Sequence, residues 1–325
     1  MAKRNSLFNA AIYEQVRKEN KSILNDYILE MKSNGKSKGT IYQYTADIKA
    51  FFCWAFNELD NKSVLNMKKR DFRRFFLVLK ENGASSSRIN RVQCSLRNLL
   101  EFCTADEDEY DYDINAMKSI KGLQKEEVRE IHFLTDEQID IIINYLIGKK
   151  QYQKALYVSL SYDSAGRRNE VYQVMKNGFL ESKRTNEVQG KRGKKFKLMY
   201  LSRTREIAKM YFEQRGEDEI EAMWVVGKGE NKRAAKYETL YNWTVSFRKI
   251  LEAETGQHIE MNPHSFRHSS LENYENGTHS SLKEMGLPKL ELKVLKVLAN
   301  HTSIETTQGY LKNKDEEILN EAFGI

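Results

Sequence analysis

The 325-residue chain is 40% hydrophobic and 30% charged, which fits a globular protein and excludes a low-complexity or disordered one. Its 53 Lys and Arg against 46 Asp and Glu leave a formal net charge of +7, a moderate excess that suits a polyanionic partner such as nucleic acid. No apolar run reaches the roughly eighteen residues a membrane span needs, and no N-terminal apolar core marks a secretory signal, so a cytoplasmic protein is expected.

The length predicts two domains, and only two prolines in the chain predict long uninterrupted helices. Cys53, Cys94 and Cys103 have no metal-ligand or CxxC spacing and read as reduced thiols. Residues 1–20, with Lys3, Arg4, Arg17 and Lys18, read as a basic N-terminal arm. Residues 21–103 read as a helical domain. Ile23, Leu24, Tyr27, Ile28 and Met31 line the first helix. Thr40 with Gln43 forms a capping box for the second, and Ile41, Tyr44, Ile48, Phe51, Phe52 and Ala55 follow on its apolar face. The third runs from about Lys68 to Lys80 around Phe72, Phe75, Phe76 and Leu79. Ser85, Ser86 and Ser87 cap the fourth, with Ile89, Val92, Leu96, Leu99 and Leu100 inward.

Basic residues gather at three of these helix starts. Lys36, Lys38 and Tyr42 open the second helix, Lys68, Lys69, Arg70 and Arg73 the third, and Arg88 and Arg91 the fourth. Helix N-termini already favour anions, so these side chains are candidates for phosphate contact, with a solvated surface as the plain alternative. Residues 104–130 begin with the acidic run Thr104 to Asp113 and read as a linker turned away from DNA.

The second domain is expected over residues 131–325. Thr135 to Gln138 starts a helix with Ile139, Ile142, Ile143 and Leu146 inward, and another runs from Tyr152 to about Tyr162. Ser164-Ala165-Gly166-Arg167-Arg168-Asn169-Glu170 then gives a small-residue turn, two arginines and an acid that can hold one of them. Residues 185–201 alternate as a β-hairpin whose turn, Gly190 to Lys195, holds Lys191 and Lys194. Helices follow at about 203–215 and 238–254. A short strand over 223–226 precedes a second basic turn with Lys228. The fold class is therefore mainly α with a small β component.

His264, Arg267, His301 and Tyr310 close the chain. Arginine matches two phosphate oxygens with parallel donors, histidine moves a proton near neutral pH, and tyrosine offers a hydroxyl able to attack phosphorus. Two arginines, a lysine and two histidines neutralise a phosphodiester without a metal, and no paired carboxylates show two-metal spacing.

The ordered set Arg167, Lys191, His264-x-x-Arg267, His301 and Tyr310 resembles the tyrosine recombinase, or phage integrase, family. Residues 299–310 look like its His…Tyr box, and residues 20–110 its helical core-binding domain. The resemblance implies two domains forming a clamp on double-stranded DNA at specific sites, acting as a homo-oligomer. It implies that Arg167 and Arg267 hold the scissile phosphate, with Glu170 behind them. Lys191, preferred to Lys228, would protonate the leaving 5′ oxygen. His264 would exchange the tyrosine proton and His301 would hydrogen-bond the phosphate. Tyr310 would form a 3′-phosphotyrosine, with no metal, ATP or other cofactor. His268 has a plain reading as a structural histidine.

Three features depart from the family pattern. Ser164-Ala165 replaces the usual Thr-Gly, and Ala299-Asn300 the usual Leu-Gly. The interval from Arg267 to His301 is long, through Asn276-Gly277-Thr278-His279 to Leu287-Pro288. The length and these flanks also resemble the recombinase-fold repressors of SPbeta-type prophages. The alternative function is thus a DNA-binding regulator of lysogeny that keeps the fold and exchanges no strands.

Overall fold

The computed structural model describes residues 7–106, 108–124, 131–177, 179 and 182–311. The chain divides into two compact units, 1–130 and 131–325.

The first unit contains α1 (Ala10–Gln15), α2 (Lys18–Ser33), α3 (Lys38–Glu58), α4 (Lys69–Glu81) and α5 (Ser86–Ala105). The cap of α3 differs from the expected Thr40–Gln43 box. Ser37 is the N-cap, and its Oγ accepts from the Thr40 amide at 3.1 Å. An extended Ser37 leaves its hydroxyl facing the first-turn amides, and Thr40 falls inside the helix. Ser85 caps α5 in the expected way, accepting from Arg88 N. The core is aromatic. Phe51 stacks on Phe72 at 5.3 Å and meets Phe75 edge-on at 5.0 Å. Fully burying each such ring is worth about 1.5–3 kcal/mol.

Two stretches expected outside this core belong to it. The 1–20 stretch carries α1 and the start of α2, with Val16 buried and Leu7 and Tyr13 packed on the core. Residues 1–6 lie outside the described part. The acidic stretch also folds back. Tyr112, Met117 and Ile120 are buried, the Tyr110 hydroxyl donates to Asp26 at 2.9 Å, and Arg97 donates to the carbonyls of Met117 and Ile120. The acids dominate the composition of that run, while the apolar residues within and after it decide where it goes.

The second unit contains α6 (Asp136–Gly148), α7 (Tyr152–Asp163), α8 (Arg168–Tyr172), β1 (Arg184–Gln189), β2 (Lys195–Met199), α9 (Ser202–Arg215), β3 (Val225–Val226), β4 (Arg233–Ala234), α10 (Tyr237–Thr255), α11 (Pro263–Asn276), α12 (Ser281–Met285), α13 (Leu292–Leu298) and α14 (Ile304–Gln308). Its centre is α7, buried from Ala155 to Asp163 and packed against α6, α8, α9 and α11. β1 and β2 pair antiparallel with Val188 opposite Phe196, and an irregularity between Arg184 and Glu187 lets both Thr185 and Val188 face inward. The second basic turn joins β3 to β4, a second antiparallel pair. Its Lys232 is tied to Asp218 at 2.9 Å.

A smaller core of Ala165, Leu271, Tyr274, Leu282, Leu290, Leu295 and Ala299 lies against Tyr310 and Leu311. Among the described residues no helix is long and apolar enough to cross a membrane.

Candidate active site

α11 starts at an Asn262-Pro263 signal. Asn262 Oδ1 accepts from His264 N, and Ser265 returns a bond to Asn262 N. The helix then presents His264, Arg267 and His268 at i, i+3 and i+4, which share one face. Arg267 is completely buried. A buried guanidinium must be partnered, and this one is. Nη1 donates to Ala165 O at 2.5 Å, and Nη2 donates to Ala299 O and to His301 Nε2, each at 2.6 Å. Its Nε is buried without a hydrogen-bond partner among the described residues.

Glu170 is the counter-charge. It is 1% exposed and lies in the first turn of α8. One carboxylate oxygen accepts from Arg167 Nη1 at 2.8 Å, and the other accepts from Arg167 N at 2.7 Å and stands 4.0 Å from Arg267 Nη1. One buried carboxylate thus orients Arg167 and balances the charge of Arg267. Arg168 points elsewhere, its guanidinium 3.8 Å from the centre of the Tyr237 ring. Arg167, not Arg168, is the arginine that shares Glu170 with Arg267.

The β1–β2 turn reaches this centre through its backbone. A Cβ on Gly190 would meet Phe196 Cε1 at 2.8 Å, Asn300 Nδ2 at 3.2 Å and Glu170 Oε1 at 3.3 Å, so only glycine fits comfortably. Lys191 follows directly, at the start of a 3-10 turn, and is exposed, as is Lys194. Lys228, also exposed, sits before the second turn.

Tyr310 closes the site. The Arg267 guanidinium is 5.1 Å from its ring centre, the His301 ring is 4.8 Å away, and the His268 ring stacks on it at 4.5 Å. His301 is held at both nitrogens. Arginine only donates, so Nε2 accepts from Arg267 and Nδ1 carries the proton, which goes to Thr307 Oγ1 at 3.0 Å. Thr307 is fully buried. Neither Thr307 nor the His268 contacts carry a signal in the sequence pattern.

The electrostatics follow from burial and crowded positive charge. Burial, then Arg267 and Arg167, push His301 down to about 3. Burial and Arg167 lower Arg267 to about 10, which still leaves it charged at neutral pH. Desolvation of its ring, with His268, Arg267, Arg167 and Arg168 nearby, lowers His264, which is exposed. The shift favours the neutral imidazole, the form able to take a proton.

The two departures before Arg167 and His301 share one geometry. Ala165 and Asn300 have φ of 49° and 52°, the left-handed region that glycine occupies without strain. Both peptides adjoin the carbonyls that hold Arg267. The long interval before His301 is a closed excursion. Gly277, at φ 82°, lies so near Pro288 that a Cβ there would be 2.6 Å from its carbonyl oxygen, and Leu290 N donates to Tyr274 O at 2.9 Å. The chain leaves and re-enters at one place. Inside the excursion, His279 is sandwiched between Tyr162 at 4.0 Å and Tyr274 at 3.7 Å. His301 consequently stays in register with Arg267.

In the first unit, Lys36, Lys38, Arg70, Arg73 and Arg88 are exposed, and Lys69, partly exposed, donates to Ser119 Oγ at 2.7 Å. Tyr42, 76% exposed, lines a groove with Arg88 and Arg91. Arg91 differs from the others. Its Nε and Nη2 donate to the buried Asp47 at 3.0 and 2.9 Å, with Ser95 Oγ adding a third bond at 3.1 Å.

A helical unit with basic helix starts, followed by a helical domain that gathers two arginines, two histidines and a tyrosine beside a basic hairpin, defines the class of tyrosine recombinase folds. Residues 132–317 match the phage integrase family model and residues 24–107 the phage integrase N-terminal SAM-like domain. The chain belongs to the phage integrase family. It is 25% identical to the SPbeta prophage-derived recombinase-like protein YomM of Bacillus subtilis (strain 168), over 96% of this chain and 93% of that one. It is 24% identical to the tyrosine recombinase XerA of Pyrococcus furiosus, over 89% of each. Its fold matches a lambda integrase fragment in a dimer bound to a COC′ core site, with TM-score 0.65, 14% identity, and coverage of 89% of this chain and 94% of that one. It also matches the Tn1549 transposon integrase in complex with transposon right end DNA, with TM-score 0.63, 15% identity, and coverage of 93% and 99%.

Proposed function

We propose that this protein is a cytoplasmic site-specific DNA recombinase that cuts and rejoins double-stranded DNA through Tyr310, working as a homo-oligomer on its site. The observation that carries this reading is the convergence of Arg267, His301 and Tyr310 on one another with Arg167 sharing Glu170, despite the long interval before His301. Arg167 and Arg267 would neutralise the phosphodiester in the transition state. The Tyr310 oxygen attacks phosphorus and gives its proton to neutral His264. The bond to the 5′ oxygen breaks, and that oxygen takes a proton from Lys191. The 3′-phosphotyrosine conserves the ester bond, so rejoining reverses the step without an external energy source. Lys36, Lys38, Tyr42, Lys69, Arg70, Arg73, Arg88 and Lys194 would contact DNA, with Arg91 held back by Asp47.

The test has two stages. The preferred site is selected from a pool of random duplexes, and duplexes of that site carrying nicks at successive positions are then incubated with the protein. A protein–DNA adduct that survives denaturation and is lost in Tyr310→Phe supports the recombinase. Tight, salt-sensitive and sequence-specific binding with no adduct at any nick position establishes the regulator instead.

A further inference from the structure

His268 lies one residue beyond Arg267 and has no part in the phosphate chemistry above. Its ring is stacked on Tyr310 with centroids 4.5 Å apart and planes 24° from parallel. Its Nδ1 is 3.1 Å from the Tyr310 carbonyl oxygen. A carbonyl only accepts, so Nδ1 carries the hydrogen. Phe133 meets the imidazole edge-on, at 5.9 Å and 87°. One side chain therefore grips both the ring and the backbone of Tyr310, while α11 fixes that side chain one residue from Arg267.

The grip matters because of where Tyr310 sits. It follows the five-residue α14, and its own amide is tied only locally, to Thr307 O at 2.9 Å. A short helix of that kind does not hold its end rigidly by itself. We propose that His268 is a positioning residue that docks Tyr310 against Arg267 and so sets the line of attack. The rate effect rests on the strand-cleavage reading, whereas the docking does not. Burial lowers the His268 pKa, and the Nδ1 hydrogen is present in the neutral ring as well as the charged one, so the bond to Tyr310 persists on both sides of its titration.

The test uses the full chain and three variants: His268→Ala removes ring and donor, His268→Asn keeps a donor, and His268→Phe keeps a ring. Amide exchange is measured by mass spectrometry without DNA. Residues 304–311 are expected to exchange at least several-fold faster in His268→Ala, with α7 and α9 unchanged. His268→Asn and His268→Phe should fall between it and the parent, and they decide the question if His268→Ala does not fold. On the selected nicked duplex at saturating protein, single-turnover cleavage should drop about 10–100-fold in His268→Ala, the scale of a misplacement near 1 Å. DNA affinity should stay within about two-fold, because nothing that would touch DNA has been removed, and His268→Asn should recover part of the rate. Parent-like exchange at 304–311 in all three variants overturns the proposal whatever the cleavage rate. Faster exchange in a protein whose parent forms no adduct upholds the docking and defeats the strand-cleavage reading.

Discussion

Arg267 donates from Nη2 to Nε2 of His301 at 2.6 Å, and this contact fixes the state of both residues. A permanent donor facing the imidazole leaves that nitrogen unprotonated and sends the ring proton to Nδ1. The positive charge that disfavours protonation of His301 is the same charge the phosphate would meet. Before DNA arrives, His301 acts as an acceptor that holds the arginine in place.

Thr307 is the far end of that arrangement. Thr307→Val keeps the shape and removes the acceptor for the Nδ1 hydrogen, leaving a buried donor unpaired. The cost is about 1–3 kcal/mol. In a unit of this size each kcal/mol lowers the melting temperature by about 2–4 °C. A thermal melt shows the loss, and single-turnover cleavage should fall with it because the His301 ring is no longer held at its Nδ1 side. An unchanged melt would mean that His301 is not held through Thr307.

Ala165 offers the opposite sign. A left-handed alanine costs about 1–2 kcal/mol, of which glycine gives back about 0.4–1 through the flexibility it adds to the unfolded chain. Ala165→Gly is therefore expected to stabilise the second unit by up to about 1.5 kcal/mol, read as a rise in its melting temperature. A fall would show that the alanine methyl contributes packing that outweighs the strain.

How much of this was legible in the sequence depended on the range of the contact. Phe72, Phe75, Phe76 and Leu79 announce their helix because spacing within one helix sets their burial. The residue types of the site are legible as an ordered set. Thr307 and His268 are not, because each acts through a partner brought near by tertiary packing, and neither spacing nor composition encodes that. Tyr110, Met117 and Ile120 were hidden among and behind acids that define the composition of their stretch. The cap of α3 moved three residues because the Ser37 and Thr40 signals compete and backbone geometry settles which one faces the amides.

Arg91 carries a structural bond that Arg88 lacks. It stands beside Arg88 as a candidate phosphate contact and also neutralises Asp47, 44 residues away along the chain. Arg91→Ala leaves that buried carboxylate with Ser95 as its main remaining donor, and should cost about 2 kcal/mol of stability. Arg88→Ala should leave the melt unchanged and reduce the salt dependence of DNA binding by about one phosphate contact. Equal effects of the two on DNA binding with equal melts would refute the distinction.

The excursion before His301 carries a built-in acid sensitivity. His279 is buried between two tyrosines, and its Nδ1 accepts from the Ser281 amide at 3.2 Å. Burial, with Arg203 nearby, pushes it down to about 3, the level of His301. Both are neutral in the folded chain, whereas in the unfolded chain they titrate near 6.5. Between those values the unfolded state binds protons that the folded state refuses. The stabilisation is full above about pH 6.5 and is lost as pH falls, by up to about 1.4 kcal/mol per pH unit for each histidine. His279→Phe keeps an aromatic ring in the stack and removes one titration. It should cost about 1 kcal/mol at pH 7 for the lost amide bond. Its disadvantage should then shrink as the second unit is melted at successively lower pH down to 4.5. Melting temperatures that fall in parallel for the two proteins over that range would show that His279 is not held neutral by its stack.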